Sequence, residues 1–230
     1  TEALPVSSIG SRMILGETAP VTDAGGGTCV GMPIPKVKAR IIKISDEPIT
    51  QWSEDLVVAA GEIGEITVTG PIVTREYYCR PESTMQAKIV DGSDVWHRMG
   101  DLGRIDEQGC IWFCGRKSHR VVGENQTWFS IPCERVYNQH SHVFRTALAG
   151  VGEKGKQVPV ICVELEKGVA EVNTEKLIAD LIDIGSKYPH TAAIKHFLIH
   201  PGFPVDIRHN AKISREKLSE WAAEKLKGRI

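Results

Sequence analysis

The stretch Trp96–Val121, "WHRMGDLGRIDEQGCIWFCGRKSHRV", has the pattern of a single β-hairpin. A strand-like run leads to a polar link at Glu107–Gly109, and an apolar run then returns to a Gly-Arg turn. A short polar link containing Gly between two such runs predicts a hairpin tip. Because a hairpin brings the ends of its strands together, we expect Asp101 and Arg116 to be neighbours. From the hairpin pattern alone, we would predict that Asp101 caps a turn and that Arg116 is a solvated charge.

The residues before this hairpin carry further strand patterns. "VKARIIKI" alternates from position 37, and "EDLVVAAGEIGEITVTGPIV" from position 54 adds strand residues punctuated by Gly. "YYCRPESTMQAKI" predicts a turn and a short helix. The Gly triplet in "DAGGGT" at 23–28 lacks the Lys-Ser/Thr of a phosphate loop, so it predicts a flexible connector.

The pattern becomes mixed α/β after about Ser118. "SIPCERVYNQHS" predicts a helix with Ser130 as its N-cap, and two strands follow around a Gly-Lys-rich turn. "NTEKLIADLIDIGSKYP" and "SREKLSEWAAEKLKG" predict two more helices, the first with Asn173 or Thr174 as its N-cap. The predicted fold class is therefore α+β, with a β-rich domain at 1–117 and a small α+β domain at 118–230.

Bulk composition narrows the function classes. The chain has 230 residues and a formal net charge of −1, so charge does not favour nucleic acid or anionic membrane as a partner. No apolar run is long enough to cross a bilayer. The six cysteines are scattered, which favours reduced thiols in a cytoplasmic protein. Cys110 and Cys114 have the spacing of a weak zinc half-site, but packing is the preferred interpretation.

Several short motifs occur in the order of a known superfamily. Thr1-Glu2, "GEIGEITVTG", "HRMGDLG", "GRKSHRV" and "NAKISREKL" resemble "Y-G-x-T-E", "GEL-x-I-x-G", "Y-R-T-G-D-L-G", "G-R-x-D-x-x-V" and "G-K-I-x-R-x-x-L". The chain thus resembles the C-terminal portion of the adenylate-forming enzymes, which include acyl-CoA synthetases, peptide-synthetase adenylation domains and luciferases. The resemblance implies that 1–117 is a distorted barrel-like remnant of a large N-terminal domain and that 118–230 is the small lid domain.

The resemblance also implies ATP and Mg²⁺ as cofactors and assigns roles to single residues. Asp101 would bind both ribose hydroxyls, a task that suits the two acceptor oxygens of a carboxylate. Arg116 would approach the same ribose. The remaining roles are the α-phosphate contact at Thr1, the metal ligand at Glu2, the domain hinge at Ser118 and the catalytic lysine at Lys212. We expect Lys212 to lie in a polar loop that leads into the last helix.

The chain departs from the superfamily pattern in ways that indicate a subgroup. His97 and Met99 replace an aromatic residue and Thr, and Val122 replaces a Lys next to the loop that shapes the CoA tunnel. The hinge position has Ser118 in place of Asp or Lys. The combination "WHRMGD…WFCGRKSHRV" resembles the β-lactone synthetases of olefin biosynthesis. That implies activation of a long-chain 3-hydroxy carboxylic acid as acyl-AMP, closure to a β-lactone, and association with other olefin-biosynthesis enzymes.

Two alternatives stay open. The chain also fits a long-chain fatty acyl-CoA ligase or acyl-AMP ligase, and a non-catalytic interaction module could retain the same fold. The triphosphate-binding loop and the acyl pocket of the superfamily lie upstream of the motif that Thr1 matches. We therefore read the chain as a fragment and expect it to be inactive alone.

Overall fold

The computed structural model describes residues 2–168, 172–206 and 209–229, so the predicted nucleotide-binding residue Thr1 lies outside the described residues. The chain divides into two compact units. Unit 1 comprises Thr1–Thr22 and Gly26–Ser118, and unit 2 comprises Asp23–Gly25 and His119–Ile230. Both contain helices and strands, with more strand in unit 1, so the predicted α+β class is confirmed. Their identities as a large-domain remnant and a lid remain predictions.

Unit 1 is built on one antiparallel sheet. Its described strands follow the order β1-β2-β7-β6-β4-β3, and β5 pairs with β6 outside that path. The strands are β1 (Ser7–Ser8), β2 (Thr28–Pro33), β3 (Lys38–Ile42), β4 (Gly64–Thr69), β5 (Lys88–Asp91), β6 (Asp94–Ile105) and β7 (Ile111–Arg116). The helices are α1 (Ser11–Met13), α2 (Ala19–Asp23) and α3 (Pro81–Ala87), with a π-helical turn at Ile14–Thr18 between the first two.

The predicted hairpin is strands β6 and β7. Asp106 shapes its tip: one carboxylate oxygen accepts the backbone amides of Gln108 and Cys110, at 3.0 and 2.8 Å, and the other accepts the Trp112 indole at 2.6 Å. Asp101 and Arg116 are register partners across the two strands. The prediction that these two residues are neighbours is confirmed.

The Gly triplet is not a flexible connector, so that prediction was wrong. Gly25 and Gly27 are buried and adopt positive φ, at 82° and 93°. A Cβ atom at Gly26 would lie 2.5 Å from Cγ1 of Val21, and one at Gly27 would lie 3.0 Å from the carbonyl of Phe113. The glycines are needed because a packed turn requires left-handed backbone and close approach to its neighbours.

Unit 2 combines a three-stranded sheet with two short ribbons. β10 (Val143–Val151) pairs antiparallel with β11 (Val158–Leu165), which pairs in parallel with β12 (His196–Ile199). The ribbons pair β8 (Val121–Val122) with β9 (Thr127–Trp128), and β13 (Val205–Asp206) with β14 (His209–Ile213). The helices are α4 (Ser130–Tyr137), α5 (Thr174–Ser186) and α6 (Arg215–Lys225).

The sheet of unit 2 is apolar on both faces, because its side chains alternate between two cores. Leu148 and Ile161 face helices α4 and α5, whereas Ala147 and Cys162 face helix α6. Helix α5 has the predicted cap, since Asn173 accepts the amide of Lys176 at 3.0 Å. The predicted Ser130 cap was wrong: helix α4 is preceded by Phe129 as its N-cap, and Ser130 is its first residue. None of the helices in the described ranges is long and apolar enough to span a bilayer.

Candidate functional site

A cavity of about 590 Å³ in unit 1 gathers three of the predicted site residues. They are Glu2, Asp101 and Arg116. The rest of the wall comes mainly from strand β6, the end of helix α3 and the residue after β7. The remaining lining residues are Glu65, Tyr77, Gln86, Ala87, His97, Arg98, Met99, Gly100 and Lys117. This size is typical of a small-molecule site.

Asp101 and Arg116 form an ion pair at the open end of the hairpin. Nη1 of Arg116 lies 3.0 Å from Oδ1 of Asp101; the Asp101 side chain is 22% exposed and that of Arg116 is 56% exposed. Within the described residues, Oδ1 of Asp101 accepts no aligned hydrogen bond. Burial raises the pKa of Asp101, and the neighbouring Arg116 opposes that rise. A partly buried carboxylate at the wall of a cavity offers acceptor oxygens and is suited to binding a hydroxyl-bearing ligand.

Glu2 is held at the cavity by hydrogen bonds. The Tyr77 hydroxyl donates to Oε1 of Glu2 at 3.2 Å, and the Glu2 carbonyl accepts the amide of Thr74 at 3.0 Å. A hydrogen bond from its own backbone, followed by that from Tyr77, lowers the pKa of Glu2. An ionised carboxylate is a ligand that Mg²⁺ accepts. No group of three metal-binding side chains occurs in the described parts of the chain.

A buried charge network lies at the wall of this cavity. Arg98 donates to Oε2 of Glu65 through Nε at 3.1 Å and Nη2 at 2.7 Å. Its other hydrogen bonds go to the carbonyls of Ser45, Glu47 and Gln86. Lys117 joins the network, with Nζ 3.0 Å from Oε1 of Glu65. Both side chains of the Arg98–Glu65 pair are 1% exposed.

Sequence reasoning missed this network. Glu65 and Arg98 lie 33 positions apart, and Lys117 lies 52 positions from Glu65. The available signal was their occurrence in three matched motifs, "GEIGEITVTG", "HRMGDLG" and "GRKSHRV". The pairing itself depends on strands β4 and β6 being adjacent, which those motifs do not reveal.

The predicted hinge residue Ser118 is exposed and lies in a 3₁₀ turn, Lys117–His119. The division between the two units falls directly after it. On its N-terminal side, Lys117 is anchored to the carbonyl of Ser45 at 2.9 Å and to Glu65. The backbone at Ser118 therefore follows a fixed residue. The assignment of Ser118 as the hinge stays a prediction.

Lys212 is exposed and belongs to strand β14. The prediction that it lies in a loop was wrong, because β14 pairs with β13 and continues to Ile213, just before helix α6. Lys212 lies in unit 2, whereas the cavity residues lie in unit 1. Its assignment as the catalytic lysine stays a prediction.

Two known proteins and one solved structure are similar to the chain. No family model matches the chain. It is 51% identical over 229 residues to an olefin β-lactone synthetase of Xanthomonas campestris, covering 97% of this chain and 41% of that protein. It is 48% identical over 234 residues to an olefin β-lactone synthetase of Stenotrophomonas maltophilia, covering 100% of this chain and 42% of that protein. The chain thus spans about two fifths of the length of these relatives.

Among solved structures, the fold is similar to that of o-succinylbenzoate CoA synthetase from Bacillus subtilis in complex with its acyl-adenylate intermediate. The TM-score is 0.68 at 19% identity, over 93% of this chain and 38% of that one. At this identity the similarity establishes the fold alone.

Proposed function

The chain belongs to the adenylate-forming superfamily, and from this premise we propose that it is part of an ATP-dependent β-lactone synthetase. The substrate would be a long-chain 3-hydroxy carboxylic acid. The observation that carries the proposal is the cavity that joins Glu2, Asp101 and Arg116, since these are the residues to which the motifs assign ATP. Association with other olefin-biosynthesis enzymes in the cytoplasm forms part of the same proposal.

Two steps account for the proposed reaction. In the first, a carboxylate oxygen of the substrate attacks the α-phosphorus of ATP, forming acyl-AMP and releasing pyrophosphate. In the second, the oxygen of the 3-hydroxyl attacks the acyl carbon, its proton is lost, and AMP leaves with the former carboxylate oxygen. The second step is favoured because the nucleophile is tethered to the activated carbonyl and needs no second substrate.

Each residue would contribute through charge and hydrogen bonding. Asp101 would accept the ribose hydroxyls, and Arg116 beside it would keep that carboxylate ionised. Glu2 would hold Mg²⁺, which supplies charge neutralisation on the phosphates when bound. Lys212 would stabilise the negative charge that develops between carboxylate and α-phosphate.

The decisive experiment is product analysis with and without CoA. Because the chain spans 41% of one relative, we would use the extended enzyme, meaning this chain together with the additional segment that its relatives have. With ATP and a long-chain 3-hydroxy acid, we expect β-lactone, AMP and pyrophosphate without CoA. A thioester formed only with CoA would instead support the acyl-CoA ligase alternative. Absence of any pyrophosphate release would support the non-catalytic alternative.

Replacing Asp101 with Ala should raise the KM for ATP in the extended enzyme. Losing a charge-assisted hydrogen bond costs on the order of 1.5–3 kcal/mol, so we expect roughly a tenfold to hundredfold increase. Steady-state pyrophosphate release over a range of ATP concentrations measures it. Asp94→Ala is the matched control, because Asp94 is an exposed carboxylate on the same strand. An unchanged KM in Asp101→Ala would remove Asp101 from the nucleotide site.

A further inference from the structure

His97 is a buried histidine in the same cavity, and none of the roles above uses it. It is 4% exposed and lies on strand β6, where its register partners are Val68 on β4 and Lys88 on β5. It also lines the cavity that contains Asp101. In the motif that the chain resembles, this position has Tyr, whose ring carries a hydroxyl group in place of an imidazole nitrogen.

The protonation state of the His97 ring is set by its neighbours. Nδ1 lies 3.2 Å from the carbonyl oxygen of Ala87. A carbonyl only accepts, so Nδ1 carries the hydrogen in this contact. Burial, followed by the charge of Lys88, lowers the pKa of His97 to about 4. The ring is therefore neutral near pH 7, and Nε2 has a free lone pair.

His97 and Asp101 both lie on strand β6, which is bulged between them near Gly100, where φ is 67°. Both residues line the same cavity. An acyl-adenylate held by its ribose at Asp101 would therefore share that cavity with His97. Glu2, the residue assigned to Mg²⁺, lines the same cavity, and its carboxylate acts electrostatically on His97.

We propose that Nε2 of His97 accepts a hydrogen bond from the 3-hydroxyl group of the substrate and so makes the site selective for 3-hydroxy acids. This inference rests on the proposed function. Its physical basis is that a site built to bond a hydroxyl leaves a buried acceptor unpaired when the substrate lacks that group. The same bond would orient the hydroxyl oxygen toward the activated carbonyl.

Two amide substitutions test the contributions of the two ring nitrogens separately. In His97→Asn, the amide nitrogen can take the place of Nδ1 and still donate to Ala87, but no group replaces Nε2. In His97→Gln, the longer side chain brings an amide oxygen near the position of Nε2. Pyrophosphate release by the extended enzyme is measured with a 3-hydroxy acid and with the unsubstituted acid of equal chain length, and thermal melting reports folding.

We expect wild type to prefer the 3-hydroxy acid. In His97→Asn, kcat/KM for that acid should fall roughly 10- to 100-fold, with little change for the unsubstituted acid. His97→Gln should retain part of the preference. An absence of preference in wild type, an unchanged preference in His97→Asn, or an equal loss on both acids would overturn the inference. Lactone analysis of wild type tests the proposed function separately, because selectivity is read from pyrophosphate release whichever product forms.

Discussion

Replacing Arg98 with Met should lower the free energy of unfolding by about 3–5 kcal/mol, because it leaves a buried carboxylate without its main partner. Glu65 is fully buried and receives two hydrogen bonds from Arg98. Three backbone carbonyls also lose a donor in this variant. Among the described ion pairs, Lys117 would then be the one cation that still contacts Glu65. Urea unfolding followed by tryptophan fluorescence measures the change.

Two further variants identify the cause of this loss. Arg75→Met removes an exposed guanidinium of unit 1 that donates to the carbonyl of Ser93 at 2.8 Å, and this change should alter stability little. The double variant Glu65→Leu/Arg98→Met should be more stable than Arg98→Met alone, because it removes the unpaired buried charge. A loss below about 1 kcal/mol in Arg98→Met would contradict a structural role for the network.

The network connects the fold of unit 1 to its candidate site. Arg98 lies between His97 and Met99 in the cavity wall, so its hydrogen bonds to Ser45 and Glu47 fix strand β6 against a neighbouring loop. Lys117 extends the same network to the residue before Ser118. The stability of unit 1 and the position of its predicted ligand-binding residues therefore depend on the same buried charges.

The hairpin was predictable because its determinants are local. A polar tip with Gly109 and two strand-like runs are all contained within Trp96–Val121, and they predict that Asp101 and Arg116 are neighbours. Their exact pairing also depends on a register shift between Leu102 and Gly103, which the pattern does not reveal. The cap at Asn173 was predictable for the same reason, since its hydrogen bond spans three residues. Local turn and cap chemistry is encoded within a few positions.

The failures have a different physical origin. The Gly triplet has a composition typical of a flexible linker, but Gly25 and Gly27 are required by distant backbone, the carbonyls of Pro132 and Phe113. Lys212 has polar neighbours typical of a loop, yet strand β13 supplies a pairing partner. The partners of Glu65 depend on which strands are adjacent. In each case the deciding contact is non-local, and one sequence without an alignment does not identify it.

In unit 2, residues next to Lys212 are held in place by packing and by an ion pair. In strand β14 the neighbouring Ile213 packs into the core beneath helix α6, while Lys212 is exposed. Two residues later, Arg215 makes a bidentate ion pair with Glu134, whose Oε1 also accepts the amide of Leu148 at 2.8 Å. Arg215 is therefore held within unit 2. This argues against Arg215 as a substitute for Lys212 at the substrate.

Replacing Lys212 with Ala should lower pyrophosphate release by the extended enzyme by roughly 100- to 1,000-fold, the usual effect of removing a group that stabilises transition-state charge. The ammonium group is compact and flexible, so it can follow charge as it moves from carboxylate to phosphate. The melting temperature should stay unchanged, because an exposed side chain contributes little packing. Lys217→Ala, at an exposed lysine in helix α6, is the control and should stay active. Near-normal release from Lys212→Ala, with Lys217→Ala or Arg208→Ala inactive, would transfer the catalytic role to another cation.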